Sequence, residues 1–297
     1  MPPDRDVRPM APAVLVDELD RILAAVVGAA QAVIDRPHPT AGSLHRLHRE
    51  LRRLRTALGV WEALLARPDR ARLAPLDQRL KRLARLVGRI RDRDVSIDLL
   101  AQVDGARWPP DEAVRLAGYR TRLRDDARTG RELLRAFLRA EQEAGLFSAV
   151  RAEWRRPGVR YRSRDVRSVL SEAKGQGEAR VRKAHRSARR KPSVGRLHRL
   201  RIRVRGLRHI TDLLDAVDPE DARPLSAPVR RLQRDLGRLH DLDITLDGLA
   251  APLRETAWAE ALRGERSRLR GTLLLELEQK PSPLFATRRP RTRRAAP

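Results

Sequence analysis

Apolar residues recur at three- and four-residue spacing along almost the whole chain, and no segment alternates apolar with polar as a half-buried strand would. The spacing predicts a first helix over Val14–Ile34, closed by Pro37 and Pro39. A second, which Ser43 can cap, runs to about Ala66 before Pro68. A third spans about Asp69 to Val103 and stops ahead of Gly105 and the Pro109–Pro110 pair; a fourth starts near Asp111 and continues past Phe137. Pro157–Gly158 breaks the pattern within Arg156–Tyr161, after which helices are expected at about 164–190, 194–217, 221–250 and 255–279. The fold class is therefore all-α. Residues 1–11 and 284–297 are expected to be disordered tails, the second of them basic.

Two sets of four helices imply an internal duplication, and the residues repeat accordingly. His45-Arg-Leu-His-Arg-Glu-Leu-Arg-Arg-Leu-Arg55 aligns with His198-Arg-Leu-Arg-Ile-Arg-Val-Arg-Gly-Leu-Arg208 at an offset of 153. Arg82-Leu83, Arg85, Gly88-Arg89, Asp92 and Asp94 align with Arg231-Leu232, Arg234, Gly237-Arg238, Asp241 and Asp243 at an offset of 149. Arg120, Arg122, Leu123 and Arg124 align with Arg266, Arg268, Leu269 and Arg270 at an offset of 146. The blocks keep their order and the offsets drift only as loop lengths would make them. The domain is read as 12–283, with repeat one at 12–156 and repeat two at 164–283.

Composition adds a constraint on the core and a pointer to the partner. Aromatics are 3% of residues, so the interior must be built from Leu, Val, Ile and Ala, which suits helix-on-helix packing. A formal net charge of +26 concentrates anions and strains the compact state by self-repulsion unless a polyanion shares the surface. Nearly all the cations are Arg, with Lys only at 81, 174, 183, 191 and 280. Arg suits forked phosphate recognition, although a GC-rich coding sequence gives the same bias. Absence of cysteine excludes disulfides and thiolate metal sites. No run of about 18 apolar residues is present, and Asp4 and Asp6 stand where a signal peptide wants a basic flank, so a cytoplasmic protein without a membrane span is expected.

The charge is organised. On the second helix Leu44, Leu47, Leu51, Leu54, Leu58, Trp61 and Leu65 form one stripe, and His45, His48, Arg52 and Arg55 form a second beside it at i, i+3, i+7 and i+10. His198, Arg201, Arg205 and Arg208 repeat that row beside Leu197, Leu200, Val204 and Leu207. The third helix adds Arg82, Arg85 and Arg89, and its copy adds Arg231, Arg234 and Arg238. Like charges aligned along a helix repel, which a helix tolerates best where an anion neutralises them. A solvated face is the alternative for any one row, and the same register in both halves argues against it.

Other chemistry is weaker. Asp92 with Asp94, and Asp241 with Asp243, sit two apart and point in different directions on a continuous helix. They are read as clamps on Arg side chains or backbone donors, ahead of a divalent ion bridging to phosphate. His45 and His48 have metal-pair spacing, but Arg201 stands at the matching place of the second row, so a cationic contact to an anion is preferred and no metal is expected. A phosphate-contacting His would strengthen binding at mildly acidic pH. Trp61, Trp108, Trp154 and Trp258 are too scattered for a base-stacking platform. No Gly-x-x-x-x-Gly-Lys-Ser/Thr loop and no nucleophile–base set is present, and neither an enzyme nor a cofactor is expected.

These residues resemble the CHAD family of histidine-containing α-helical domains. The resemblance lies in His45…Arg52-Arg53-Leu54-Arg55 with Leu86…Gly88…Arg91-Asp92…Asp94-Val95, and in His198…Arg201…Arg205…Leu207-Arg208 with Leu236-Gly237…Asp241…Asp243-Ile244. It implies two four-helix bundles related by a pseudo-twofold axis, with a basic channel or cavity between them. It also implies inorganic polyphosphate as the partner, bound without catalysis and often on polyphosphate granules, with Arg53 joining the phosphate-binding rows. A triphosphate-tunnel domain of the kind some relatives carry is not expected here. His48 stands where the family pattern has Arg, Gly206 replaces the base matching Arg53, and His209 follows Arg208 where an aromatic is common. The second half is therefore expected to bind less tightly at that edge. Nucleic acid is the alternative partner, disfavoured by the missing aromatics and the absence of a DNA-reading motif. Phosphate processing at the Asp pairs is a third, weaker reading, and the oligomeric state is open.

Overall fold

A computed structural model describes residues 10–103, 108–161, 165–219 and 227–279, and among these it is all-α. The helices are α1 (Pro12–Ile34), α2 (Ala41–Leu64), α3 (Arg67–Gln102), α4 (Pro110–Glu143), α5 (Leu146–Arg155), α6 (Val166–Arg190), α7 (Val194–Val217), α8 (Ala227–Asp247) and α9 (Ala257–Gln279). The expected tail at 284–297 lies outside the described residues, as do residues 1–9. Met10 and Ala11, expected to be disordered, are tied down instead. The Met10 carbonyl accepts the Val166 N–H at 3.2 Å, and Ala11 caps α1 with Pro12 in its first turn.

Sequence spacing merges α4 and α5, and the chain separates them at Gly145. That residue takes a left-handed φ of 67°, and its N–H donates to the Gln142 carbonyl at 3.0 Å. A glycine can reverse the chain there without a Cβ penalty, and α5 folds back onto α1, α3 and α4. Pro68 does not break the chain ahead of α3 but sits inside its first turn, where the missing N–H has no helical partner to lose. Between α5 and α6, Gly158 also has positive φ (72°). The buried carboxylate of Asp69 holds this crossover by accepting from the Arg156 side chain and the Arg160 N–H.

Three apolar clusters fill the interior. One gathers α1, α2, most of α3, the end of α4 and α5, and also takes Val166, Val169 and Leu170 of α6 with Leu213, Leu214 and Val217 of α7. A second joins α6, α7, α8 and α9. The third unites the end of α3 and start of α4 with the end of α8 and start of α9. Packing therefore crosses between the two halves of the chain at both ends. α2 lies against α7 and α3 against α8. At the α3–α8 contact the buried hydroxyls of Ser96 and Thr245 meet at 3.0 Å. Trp61 and Trp258 are fully buried and Trp154 nearly so, in keeping with a core role.

Candidate polyanion site between α2 and α7

The leucine stripes decide where the bases point. Leu44, Leu47, Leu51, Leu54 and Leu58 of α2, and Leu197, Leu200, Val204 and Leu207 of α7, are all buried, so neither helix is free to rotate. With those stripes fixed, the adjacent rows turn toward one another across the α2–α7 contact. A cleft of about 360 Å³ opens there. Its α2 wall is His45, His48, Arg52 and Arg53 with Arg49; its α7 wall is Arg201, Arg205, Arg208 and His209 with Asp212. Arg91 of α3 and Gln233 and Gly237 of α8 complete it.

Electrostatics in the cleft are those of crowded, partly desolvated cations. Burial, then the neighbouring Arg205, Arg201 and Arg91, push the Arg52 guanidinium down to about 9. Burial, then Arg201 and Arg91, push Arg205 down to about 10, and burial lowers Arg201 as well. Such shifts mean that each charged guanidinium is held at an energetic cost that an incoming anion would remove. Asp92 and Asp241 lie within the field of Arg201 and Arg91; burial nonetheless raises both carboxyls above the usual carboxylate range.

The histidines differ from the expectation of an acid-strengthened contact. Burial, followed by the surrounding guanidiniums, lowers His48 to about 3 and His209 to about 4, so both are neutral in the unliganded protein. Their ring nitrogens have no hydrogen-bond partner, leaving each imidazole one free N–H to offer. His48 is admitted by Gly88 of α3, where a Cβ would stand 3.2 Å from its Cε1.

Other expected site residues fall elsewhere. Arg55 turns away from the cleft, and its Nε donates to Asp77 Oδ1 at 2.8 Å. His198 does not line the cleft; its ring packs against that of His240, tilted by 40° with centroids 4.7 Å apart. Arg82, Arg85 and Arg89 are exposed on α3, as are Arg231 and Arg234 on α8, and none lines the cleft. Arg238 donates to Glu265 and Gln102 at 2.9 Å each. The physical reason is helical phase: the stripe Leu80, Leu83, Val87 and Ile90 is buried, which turns the Arg82 row to solvent and brings Arg91 to the cleft. Of the acids, Asp94 accepts from Arg131 and Asp243 faces Arg266 at 3.8 Å, both pairs between neighbouring helices. Arg49, Arg91 and Gln233 escape the sequence reading because they belong to no long row. Arg91 was visible only as the residue beside Asp92. No group of three or more His, Asp or Glu able to hold a metal occurs among the described residues, and no described helix is long and apolar enough to cross a membrane.

Comparison with known proteins bears on fold and family. The CHAD domain model matches residues 18–250. The crystal structure of the CHAD domain from the plant Ricinus communis superposes with a TM-score of 0.62 at 19% identity, covering 93% of this chain and 90% of that one. PptA from Streptomyces chartreusis superposes with a TM-score of 0.56 at 16% identity, covering 92% of this chain and 100% of that one. A search of curated proteins returns no significant match. With the family model spanning most of its length, on an all-helical fold shared with a solved CHAD domain, this chain belongs to the CHAD domain family.

Proposed function

We propose that the protein binds inorganic polyphosphate in the α2–α7 cleft and does so without catalysis. The observation that carries this reading is the facing of Arg52 and Arg205, with Arg201 and Arg91 beside them, in a half-buried cleft where burial and mutual repulsion depress the guanidiniums. A linear polymer with a charge on every phosphate and no bases to stack would neutralise such a row and place forked acceptors against each guanidinium. Among the described residues, the cleft lining contains no Phe, Tyr or Trp, which weighs against single-stranded nucleic acid.

The two-bundle, pseudo-twofold reading belongs to the same proposal. It is supported by pairs of matching positions that meet: Arg52 with Arg205, at the offset of 153, and Asp92 with Asp241 and Ser96 with Thr245, at the offset of 149. A residue meets its own counterpart only near a twofold axis. The cleft would then be the channel on that axis, and polymer threaded along it would target the protein to polyphosphate granules.

Competition at fixed salt tests the proposal, because salt sensitivity alone is common to every polyanion. Long-chain polyphosphate is expected to displace labelled RNA and DNA at equal phosphate concentration; displacement in the opposite direction overturns the reading. Incubation with polyphosphate and Mg²⁺ is expected to release no phosphate.

A further inference from the structure

α7 carries arginine on two opposite faces. Arg201, Arg205 and Arg208 line the cleft, whereas Arg196, Arg199 and Arg203 lie about half a helical turn away. There they line a separate groove of about 310 Å³ between α7 and α6, whose side of the groove is Arg180, Lys183 and Ser187. Both walls present their residues at i, i+3 and i+7, the spacing of the cleft rows. Among the described residues, no carboxylate lies within ion-pair distance of Lys183, Arg196, Arg199 or Arg203. Two of the guanidiniums are steadied by backbone instead: Arg196 Nη1 donates to the Lys191 carbonyl at 2.8 Å and Arg199 Nε to the Gly195 carbonyl at 3.3 Å. Each keeps several N–H groups free for a ligand.

The matching face of α2 is built differently. The position that aligns with Arg203 is Glu50, which is buried and takes hydrogen bonds from Arg49 and Arg53 at 2.8 and 2.9 Å. Glu18 of α1 lies 3.5 Å from Arg53 as well. In the first half the aligned position is thus a buried carboxylate, paired with Arg49 and Arg53 of the cleft wall. In the second half that position is itself cationic, the groove is concave, and the charge is left for a partner.

We propose that the α6–α7 groove is a second phosphate-polymer site, so that one molecule holds two polyphosphate segments on opposite sides of α7 and bridges chains. The identity of the polymer rests on the reading of the cleft, while the existence of a second anion site does not. The two sites are separated by the body of a helix about 10 Å across, and tripolyphosphate is too short to reach around it.

Calorimetric titration with tripolyphosphate is expected to show two sites in the native protein and one in the Arg199→Gln/Arg203→Gln variant. The Arg52→Gln/Arg205→Gln variant is expected to keep the other one. With long-chain polyphosphate, light scattering from bridged complexes is expected in the native protein and lost in the groove variant. One site in the native protein, abolished by the cleft substitutions and untouched by the groove substitutions, overturns the second site and leaves the cleft reading standing. One site abolished only by the groove substitutions removes the cleft reading instead. Preference of the groove for an oligonucleotide of equal charge over tripolyphosphate also overturns the bridging proposal. Circular dichroism of both variants, whose changed side chains are replaced by uncharged polar ones, is expected to match the native spectrum.

Discussion

α2 and α7 share a register of leucines and bases, yet the two helices spend their cations differently. Toward the cleft they match: Arg52 faces Arg205, and each is depressed by burial and by the other half's guanidiniums or its own. Away from it they diverge at one aligned position, Glu50 on α2 and Arg203 on α7. Glu50 is buried and ties the cleft-lining Arg49 and Arg53 into an internal network, whereas Arg203 stands exposed in a groove of cations. The flanking histidines diverge too. His45 Nδ1 accepts from Arg91 at 3.2 Å, whereas His198, its aligned partner, packs against His240, the residue that aligns with Arg91. Two helices that share a leucine register therefore need not share a charge balance, which is set by single residues whose partners lie on other helices.

The inner match is tested most strongly by removing one base at a time. Arg52→Gln and Arg205→Gln are each expected to weaken polyphosphate binding by about 10- to 100-fold, the loss of a charge-assisted contact worth roughly 1.5–3 kcal/mol. Thermal unfolding of the unliganded variants is expected to rise, because a desolvated, repelled cation has been removed. A loss confined to one helix would break the equivalence. The outer difference is sharpened by Glu50→Gln, which strips the network around Arg49 and Arg53. It is expected to destabilise the fold by about 1–3 kcal/mol in urea unfolding, as a buried charged hydrogen-bond acceptor is lost. Arg203→Gln, at the aligned exposed position, is expected to leave stability within about 0.5 kcal/mol.

Acid separates the folded and unfolded states through the cleft histidines. His48 and His209 are lowered to about 3 and about 4, whereas in the unfolded chain they titrate near 6.5. The unfolded state therefore takes up protons first, and the stability these groups contribute is present above pH 6.5 and lost as pH falls toward 4. The slope is at most about 1.4 kcal/mol per pH unit for each group. Burial raises the carboxyls of Asp92, Asp212 and Asp241, so the folded state binds their protons more readily than the unfolded chain and these groups oppose the histidine trend. Bound polyphosphate is expected to shrink the slope, since it favours the imidazolium that the free cleft repels; urea unfolding across pH with and without polymer measures both. The smallest expected effect compares the aligned glycines. Gly237→Ala meets open space and gains up to about 1 kcal/mol of helix propensity. Gly88→Ala, crowding His48, is expected to gain less or nothing.

Much of this protein is legible along the chain. The three-and-four spacing of leucines determines helices, the buried stripe determines which face of α2 and α7 is locked, and the adjacent phase then follows from helix geometry alone. Those arguments deliver His45, His48, Arg52, Arg201, Arg205 and Arg208, because row and stripe lie on one element. They fail for Arg82, Arg85 and Arg89, whose phase relative to their own stripe points them to solvent, and for Arg55, which Asp77 captures from α3. The split between α4 and α5 was written in Gly145, but a glycine inside an apolar period signals a reversal only when the following helix finds something to pack against. Tertiary structure alone decided that Arg91 joins the cleft, that His48 and His209 are neutral, and that the outer face of α7 is an unneutralised groove. Each of these depends on distances between helices, and charge, unlike hydrophobic phase, is settled by whatever stands opposite.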